Sequence, residues 1–105
     1  MKKRILLIDD EISIQESLSG ILEDEGFASI CTSSAEEGLE VLETRNIDLV
    51  LLDIWLGDNM DGMTALGRIK EKFEVPVIMI SGHGTIETAV QATRKGAYDF
   101  IEKPL

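Results

Sequence analysis

The sequence contains a single cysteine, Cys31, so it can form no internal disulfide bond, and we interpret Cys31 as a small buried apolar side chain. It also lacks a long apolar run, whereas a membrane-spanning helix needs roughly 18 such residues. The opening ILLI is followed at once by three acids, although a signal peptide requires an apolar region of at least ~7 residues. We therefore expect a reduced, cytoplasmic protein with no membrane partner.

Basic residues are scarce as well. Ten lysines and arginines face twenty aspartates and glutamates, which gives a formal net charge of −10. Phosphate backbones and anionic lipids repel such a surface, so we expect this segment not to bind nucleic acid directly. The single histidine, His83, cannot build a histidine metal cluster. The surplus of carboxylates instead favours a site for a divalent cation.

What the sequence does contain is short apolar runs. ILLI (5–8), LVLL (49–52) and VIMI (77–80) are apolar throughout, as is typical of parallel strands that are covered by helices on both faces. FASICT (27–32) and YDFIE (98–102) alternate more and suit the edges of a sheet. Helical patterns lie between these runs, so the predicted order is β-α-β-α-β-α-β-α-β. Right-handed crossovers turn this order into an α/β doubly wound sheet.

Each helical pattern carries an apolar stripe. The predicted stripes are Ile14, Leu18, Ile21 and Leu22; Ala35, Leu39 and Leu42; Leu66, Ile69 and Phe73; and Ile86, Ala89, Val90 and Thr93. Ser34 and Glu37 have the spacing of a capping box, and Gly96 is well placed to end the fourth helix. Because four helices must cover two faces of five strands, we expect one face to be thinly covered.

Polar residues follow the apolar runs, and the carboxyl ends of parallel strands meet at one edge, where open α/β sheets bind ligands. The residues at these ends are Asp9, Asp10 and Glu11; Asp53; Ser81 and Gly82; and Lys103 with Pro104. Carboxylates brought this close repel unless a cation lies among them, and oxygen ligands suit Mg²⁺. A hydroxyl, free amides and a lysine beside them form a cradle for an anion. This combination points to phosphoryl chemistry.

The segments ILLIDDE, DLVLLDIWL, MDGM, VIMISGHG and KGAYDFIEKP resemble the signature segments of bacterial two-component response-regulator receiver domains, closest to those of the NtrC/NtrX type. The resemblance implies a flavodoxin-like five-stranded parallel sheet of order 2-1-3-4-5. In that family a fifth helix follows the fifth strand. We therefore expect residues 1–105 to be a receiver domain that is truncated before its last helix and carries no effector domain.

The resemblance also implies roles for the acids. Asp53 is the expected phospho-acceptor. Asp9 and Asp10 are expected to hold Mg²⁺, which Mn²⁺ could replace, together with Asp53 and the backbone carbonyl of Trp55. The stretch that follows Trp55 departs from the family pattern, because Gly57 and Asp58 stand where a Met-Pro pair is usual.

The remaining implied roles concern the phosphoryl group. Ser81, the backbone of Gly82 and Lys103 are expected to bind its oxygens, and Ser81 and Phe100 to act as switch residues. The Lys103–Pro104 peptide bond is expected to be cis, which is uncommon for X-Pro bonds in general.

The implied function is that of a signalling switch, not a turnover enzyme. A sensor histidine kinase or a small acyl phosphate would phosphorylate Asp53 with Mg²⁺, shifting the surface formed by the fourth helix and fifth strand. In a longer parent protein this surface would control an output, which we expect to be transcription. We also expect a homodimer or other self-association, because a bare sheet face needs cover.

Three alternatives compete with this interpretation. A hydrolase of the haloacid-dehalogenase type would need an aspartate where Trp55 stands, and a flavodoxin-like FMN binder would need a Ser/Thr/Gly-rich loop in place of Asp9-Asp10-Glu11. A receiver fold used only for docking or dimerisation would need none of the site residues. We interpret Glu11 as a first-turn acid of the first helix, with a role in tuning metal binding or hydrolysis as the alternative. We interpret Trp55 as a partly exposed wall of the site, with a partner contact as the alternative, and Tyr98 as core or edge packing.

Overall fold

The computed structural model describes residues 2–56, 60–82 and 86–103, and strands alternate with helices throughout these ranges. The elements are β1 (Arg4–Ile8), α1 (Ile12–Asp24), β2 (Ala28–Thr32), α2 (Ala35–Thr44), β3 (Leu49–Asp53), α3 (Gly62–Lys72), β4 (Val77–Ser81), α4 (Ile86–Arg94) and β5 (Asp99–Glu102). The predicted alternation is confirmed. Across these three ranges, no helix combines the length and apolar character needed to cross a membrane.

The five strands form one parallel sheet in the order β2-β1-β3-β4-β5. This is the predicted flavodoxin-like order, with the strands that contain the three fully apolar runs, β1, β3 and β4, in the interior. The register pairs Ile8 with Leu52, Asp53 with Ile80 and Ser81 with Glu102. The polar residues after these strands are therefore delivered to one edge at nearly the same height.

The two faces of the sheet are covered unequally. On one side, the three-helix face, α2, α3 and α4 contribute Leu42, Leu66 and Ala92 to a core shared with alternate strand residues. On the other, the α1 face, the helix contributes Leu18 to a smaller cluster. On the edge strand β5, Ile101 pairs with Ile80 of this cluster and lies on the α1 face, but it is 38% exposed. The prediction of one thinly covered face is confirmed among the described residues.

The predicted stripe of α4 is wrong. Ile86 is 85% exposed and Val90 is also exposed, whereas Ala92 is fully buried against the sheet. A small side chain lets the helix backbone approach the strands closely, so the alanine and not the larger residues marks the inner side. In α1 the same kind of error concerns Ile21, which is exposed although Leu18 is buried.

Local signals at the helix ends behave as their chemistry dictates. Ser34 caps α2 by accepting a hydrogen bond from the Glu37 amide, and its hydroxyl donates to the Glu37 carboxylate, which confirms the predicted pairing. Asp61 caps α3, because its carboxylate accepts a hydrogen bond from the Thr64 amide. Gly96 has a φ of 105°, the left-handed conformation that ends a helix, and follows α4 as predicted.

Gly62 fixes the distance between α3 and the end of β3. Its amide donates to the Ile54 carbonyl at 2.8 Å. A methyl group on its α-carbon would lie 2.1 Å from the Asp53 carbonyl oxygen and 2.6 Å from the Ile54 α-carbon. Since backbone atoms cannot rotate aside, only glycine allows α3 to begin this close to Asp53.

We predict that Gly62→Ala destabilises the protein by roughly 1–3 kcal/mol, because the added methyl group must displace the backbone that carries Asp53. Gly67→Ala is the matched control in the same helix, since nothing lies within 4 Å of a methyl group there. It should stabilise by up to about 1 kcal/mol. Urea unfolding of both variants measures the difference, and equal stabilities would refute the steric argument.

Candidate functional site

Three aspartates converge at the carboxyl edge of the sheet. Asp9 and Asp10 follow β1, and Asp53 ends β3. One carboxylate oxygen from each of the three residues lies within 4.8 Å of the other two. Asp9 and Asp53 are buried, whereas Asp10 is exposed. Strand alternation puts Asp9 and Asp53 on the α1 face, and the parallel register aligns them.

The backbone around Asp9 is held by hydrogen bonds from two directions. The Asp9 amide donates to the Thr32 carbonyl at 3.1 Å, and the Gln15 side-chain amide donates to the Asp9 carbonyl at 2.6 Å. Gln15 also contacts the Ser33 hydroxyl at 3.1 Å, so it ties the end of β1 to the loop after β2. Sequence reasoning missed Gln15, because one glutamine in a helical pattern carries no signal of its contacts.

Asp53 is oriented by its neighbours in sequence and in space. One carboxylate oxygen, Oδ1, accepts a hydrogen bond from the Trp55 amide at 3.2 Å. The other, Oδ2, lies 3.5 Å from Lys103 Nζ. Trp55 is 58% exposed, as predicted for a partly exposed wall beside the site.

Among the described residues, Lys103 is the cation that contacts these acids. Its Nζ lies 3.0 Å from Asp9 Oδ2, 3.4 Å from Glu11 Oε1 and 3.5 Å from Asp53 Oδ2, and its side chain is only 11% exposed. Its backbone amide donates to the Ser81 carbonyl at 2.7 Å. The lysine predicted to reach this edge therefore does so, anchored to β4.

Glu11 differs from its predicted position. It is not in the first turn of α1 but at the N-cap, where its side chain makes no capping bond. Its amide instead donates to Asp9 Oδ1 at 2.9 Å, and its carboxylate turns towards Lys103. Residues far apart in sequence meet here, which no local pattern could indicate.

Burial and neighbouring charges shift the pKa values of two groups in the site. Removal from water raises the pKa of the Asp53 carboxyl from 3.8 to about 6, with the Asp9 and Asp10 charges adding to the effect and Lys103 and the Trp55 amide opposing it. Burial would lower the pKa of Lys103, but the close contact with the Asp9 carboxylate and the charges of Asp53, Asp9 and Glu11 together raise it above its ordinary value. Lys103 is therefore fully charged near neutral pH.

The donor set fits a divalent cation. Asp9 Oδ2 is buried and forms an ion pair with Lys103, but no donor in the described ranges approaches it in hydrogen-bonding geometry. One ammonium does not neutralise three converging carboxylates. Hard divalent cations prefer such oxygen ligands, so the residues present are chemically suited to Mg²⁺.

The other predicted residues lie at or near the same edge. Ser81 is buried at the end of β4, and a methyl group on Gly82 would lie 3.8 Å from Lys103 Cδ. Phe100 is half-buried against the core of the three-helix face, and strand alternation places Ser81 on that face too. Tyr98 is 77% exposed, so its predicted packing role is wrong. His83, Pro104 and the predicted cis peptide lie outside the described residues.

Comparison with known proteins identifies the family. Residues 5–105 match the family described as the response regulator receiver domain. The chain belongs to this family. This receiver domain is 51% identical to the nitrogen assimilation regulatory protein NtrX of Azorhizobium caulinodans. The matched region covers 99% of this chain and 23% of that relative. It thus spans about a quarter of the curated relative that it matches.

Solved structures support the same assignment. The receiver domain of NtrX from Brucella abortus is 51% identical, with a TM-score of 0.91 over 96% of this chain and 86% of that one. A Burkholderia pseudomallei response regulator, solved with a phosphorylated aspartic acid, a calcium ion and citrate, is 27% identical with a TM-score of 0.91, covering 99% and 61% of the two chains. The predicted family and subfamily resemblance are confirmed.

The raised pKa of Asp53 predicts a pH-dependent cost. Between pH 3.8 and about 6 the folded carboxyl holds a proton that the unfolded chain has released, so stability falls as pH rises through this window. Metal-free Asp53→Asn, which removes the charge, should be more stable than wild type by about 3 kcal/mol at pH 7 and by nearly nothing below pH ~4.

Chemical unfolding in a chelator, repeated across this pH range, measures the difference. Asp24→Asn, at the exposed end of α1, is the control and should stay within about 0.5 kcal/mol of wild type. A metal-free Asp53→Asn less stable than wild type at pH 7 would contradict the account.

Proposed function

We propose that this receiver domain is a phosphorylatable switch in which Asp53 accepts a phosphoryl group from a sensor histidine kinase or a small acyl phosphate, with Mg²⁺. The observation that carries the proposal is the position of Asp53, buried between two further aspartates and Lys103. This carboxylate is poorly solvated, and Lys103 together with a divalent cation would offset the negative charge that a phosphoryl group adds. Phosphoryl transfer, in which positioning and electrostatics do most of the work, suits this environment.

The chemistry follows from the orientation of the carboxylate. With a pKa of about 6, Asp53 is mostly ionised at neutral pH. A carboxylate oxygen attacks phosphorus while the bond from phosphorus to the donor's nitrogen or oxygen breaks and the donor departs with those electrons. The Trp55 amide fixes the rotation of the carboxylate. Lys103 lies close enough to pair with an oxygen of the transferred group.

Asp9, Asp10, Asp53 and the backbone carbonyl of Trp55 are the proposed metal ligands, with Mn²⁺ as a possible substitute. When bound, Mg²⁺ would supply positive charge to the phosphoryl oxygens and help to align the reaction. The buried Asp9 Oδ2, which accepts no hydrogen bond from the described residues, supports this assignment. So does the Burkholderia pseudomallei relative, whose structure contains both a phosphorylated aspartic acid and a calcium ion.

The proposed switch runs from the phosphoryl group to α4 and β5. Ser81 ends β4 one residue after the register partner of Asp53, and its carbonyl accepts from the Lys103 amide. If Ser81 and the Gly82 amide bind the phosphoryl oxygens, they bias two packings of this edge. Phe100, half-buried on the same face as Ser81, is the proposed aromatic that changes position.

The wider role is also a proposal. The longer relatives, NtrX of Azorhizobium caulinodans and a transcriptional regulatory protein of Escherichia coli that is 38% identical, support a parent regulator that controls transcription, with this segment as its receiver and a histidine kinase as its partner. A cytoplasmic location, self-association through the thinly covered α1 face and no direct nucleic-acid contact by this acidic segment complete the proposal. The domain catalyses only its own phosphorylation and dephosphorylation, without turnover of a substrate.

We predict that incubation with acetyl phosphate and Mg²⁺ adds one phosphoryl group that hydroxylamine removes, as expected of an aspartyl phosphate. Asp53→Asn should show no addition, because an amide cannot form the mixed anhydride. Intact-protein mass measurement with and without a chelator tests both points. A phosphoryl group retained on Asp53→Asn, or none on wild type, would refute the proposal and leave a docking module.

Mg²⁺ binding should depend on the carboxylate cluster and not on acidity in general. Trp55 is the only tryptophan, and its amide contacts Asp53, so its fluorescence should report the metal. Asp10→Asn should weaken Mg²⁺ binding at least about tenfold, since it removes a charged oxygen ligand. Asp24→Asn, an equal charge change at the opposite edge, should stay within about twofold, and comparable losses in both would refute a defined site.

A further inference from the structure

Of the described carboxylates that lie close to Lys103, Glu11 is the one that the proposed chemistry does not use. Its Oε1 lies 3.4 Å from Lys103 Nζ, nearly the same distance as Asp53 Oδ2 at 3.5 Å. Unlike Asp9 and Asp53, which are buried, Glu11 is exposed, with 57% of its side chain open to solvent. It can therefore leave Lys103 at little cost, because water solvates the released carboxylate.

The ammonium of Lys103 has several carboxylates within reach. Its backbone is fixed by the hydrogen bond to the Ser81 carbonyl, whereas its Nζ lies within 3.0 to 3.5 Å of three separate carboxylates. Gly82 does not obstruct the lysine stem, since even a methyl group there would only reach ordinary contact with Cδ. A small rotation of the stem thus moves the ammonium from one acid to another.

We infer that Glu11 is a positioning residue that competes with the phosphoryl group for Lys103 and so favours the unphosphorylated state. The inference rests on the proposed function. While Asp53 is unmodified, Glu11 shares the ammonium and holds the loop after β1 against the end of β5. A phosphoryl group on Asp53 must draw the ammonium from this contact before it gains the full ion pair.

The competition predicts an unusual direction of effect. Removing an exposed ion pair ordinarily weakens a protein slightly, but here it should strengthen binding of a phosphoryl analogue. In Glu11→Gln the lysine is released, so apparent affinity for beryllium fluoride at saturating Mg²⁺ should rise roughly two- to fivefold, the scale of an exposed ion pair. Titration of Trp55 fluorescence measures this affinity.

Two control variants distinguish loss of the Glu11–Lys103 contact from loss of one negative charge near Lys103. Glu11→Asp keeps the charge but shortens the side chain, so it should lose the contact and behave like Glu11→Gln. Glu102→Gln removes the same charge from the neighbouring residue of Lys103, and Glu102 forms no ion pair with Lys103 in the described structure. It should change the affinity less than Glu11→Gln does.

The outcomes are distinguishable. Tighter binding in Glu11→Gln and Glu11→Asp, with little change in Glu102→Gln, supports the competition. Equal affinity in wild type and Glu11→Gln, wild-type affinity in Glu11→Asp, or an equal gain in Glu102→Gln overturns it while leaving the phosphorylatable switch intact. If wild type binds no beryllium fluoride and accepts no phosphoryl group, the proposed function fails and the competition falls with it.

Discussion

The crowding of negative charge around Asp53 is the constraint on which the site depends. Asp9 and Asp53 are removed from water, Asp10 lies beside them, and Lys103 is the ammonium that meets them in the described structure. Burial and like charge both raise the proton affinity of Asp53. The protein therefore holds a carboxylate whose ionised form would gain from a metal cation. Function at this edge follows from a charge imbalance that folding imposes.

Contacts within the fold hold these carboxylates close together. Parallel register aligns the ends of β1, β3 and β4, and Gly62 lets α3 begin against the Asp53 backbone. Gln15 ties the Asp9 carbonyl to the neighbouring loop. These contacts resist relaxation of the carboxylates away from one another. The weaker element is Lys103, whose backbone is fixed but whose ammonium has several acceptors, and it is the part best suited to respond to chemistry.

The sequence predicts the sheet well because buried parallel strands must be apolar on both faces. It also predicts that Asp9, Asp53 and Lys103 meet, because parallel strands bring their carboxyl ends to one edge. It fails where small residues decide the packing, as at Ala92 of α4, whose larger neighbours face solvent. It fails for Gln15 and Glu11 because their partners are set by three-dimensional contact, and for Tyr98 because an aromatic on an edge strand can point outward.

Direct titration of the Asp53 carboxyl tests the central claim most closely. With ¹³C-labelled aspartate, the carboxyl resonance of Asp53 in metal-free protein should titrate with a midpoint near pH 6. Saturating Mg²⁺ should move that midpoint well downward, because a bound cation stabilises the ionised form. A midpoint near the ordinary value of 3.8 that Mg²⁺ leaves unchanged would contradict the account.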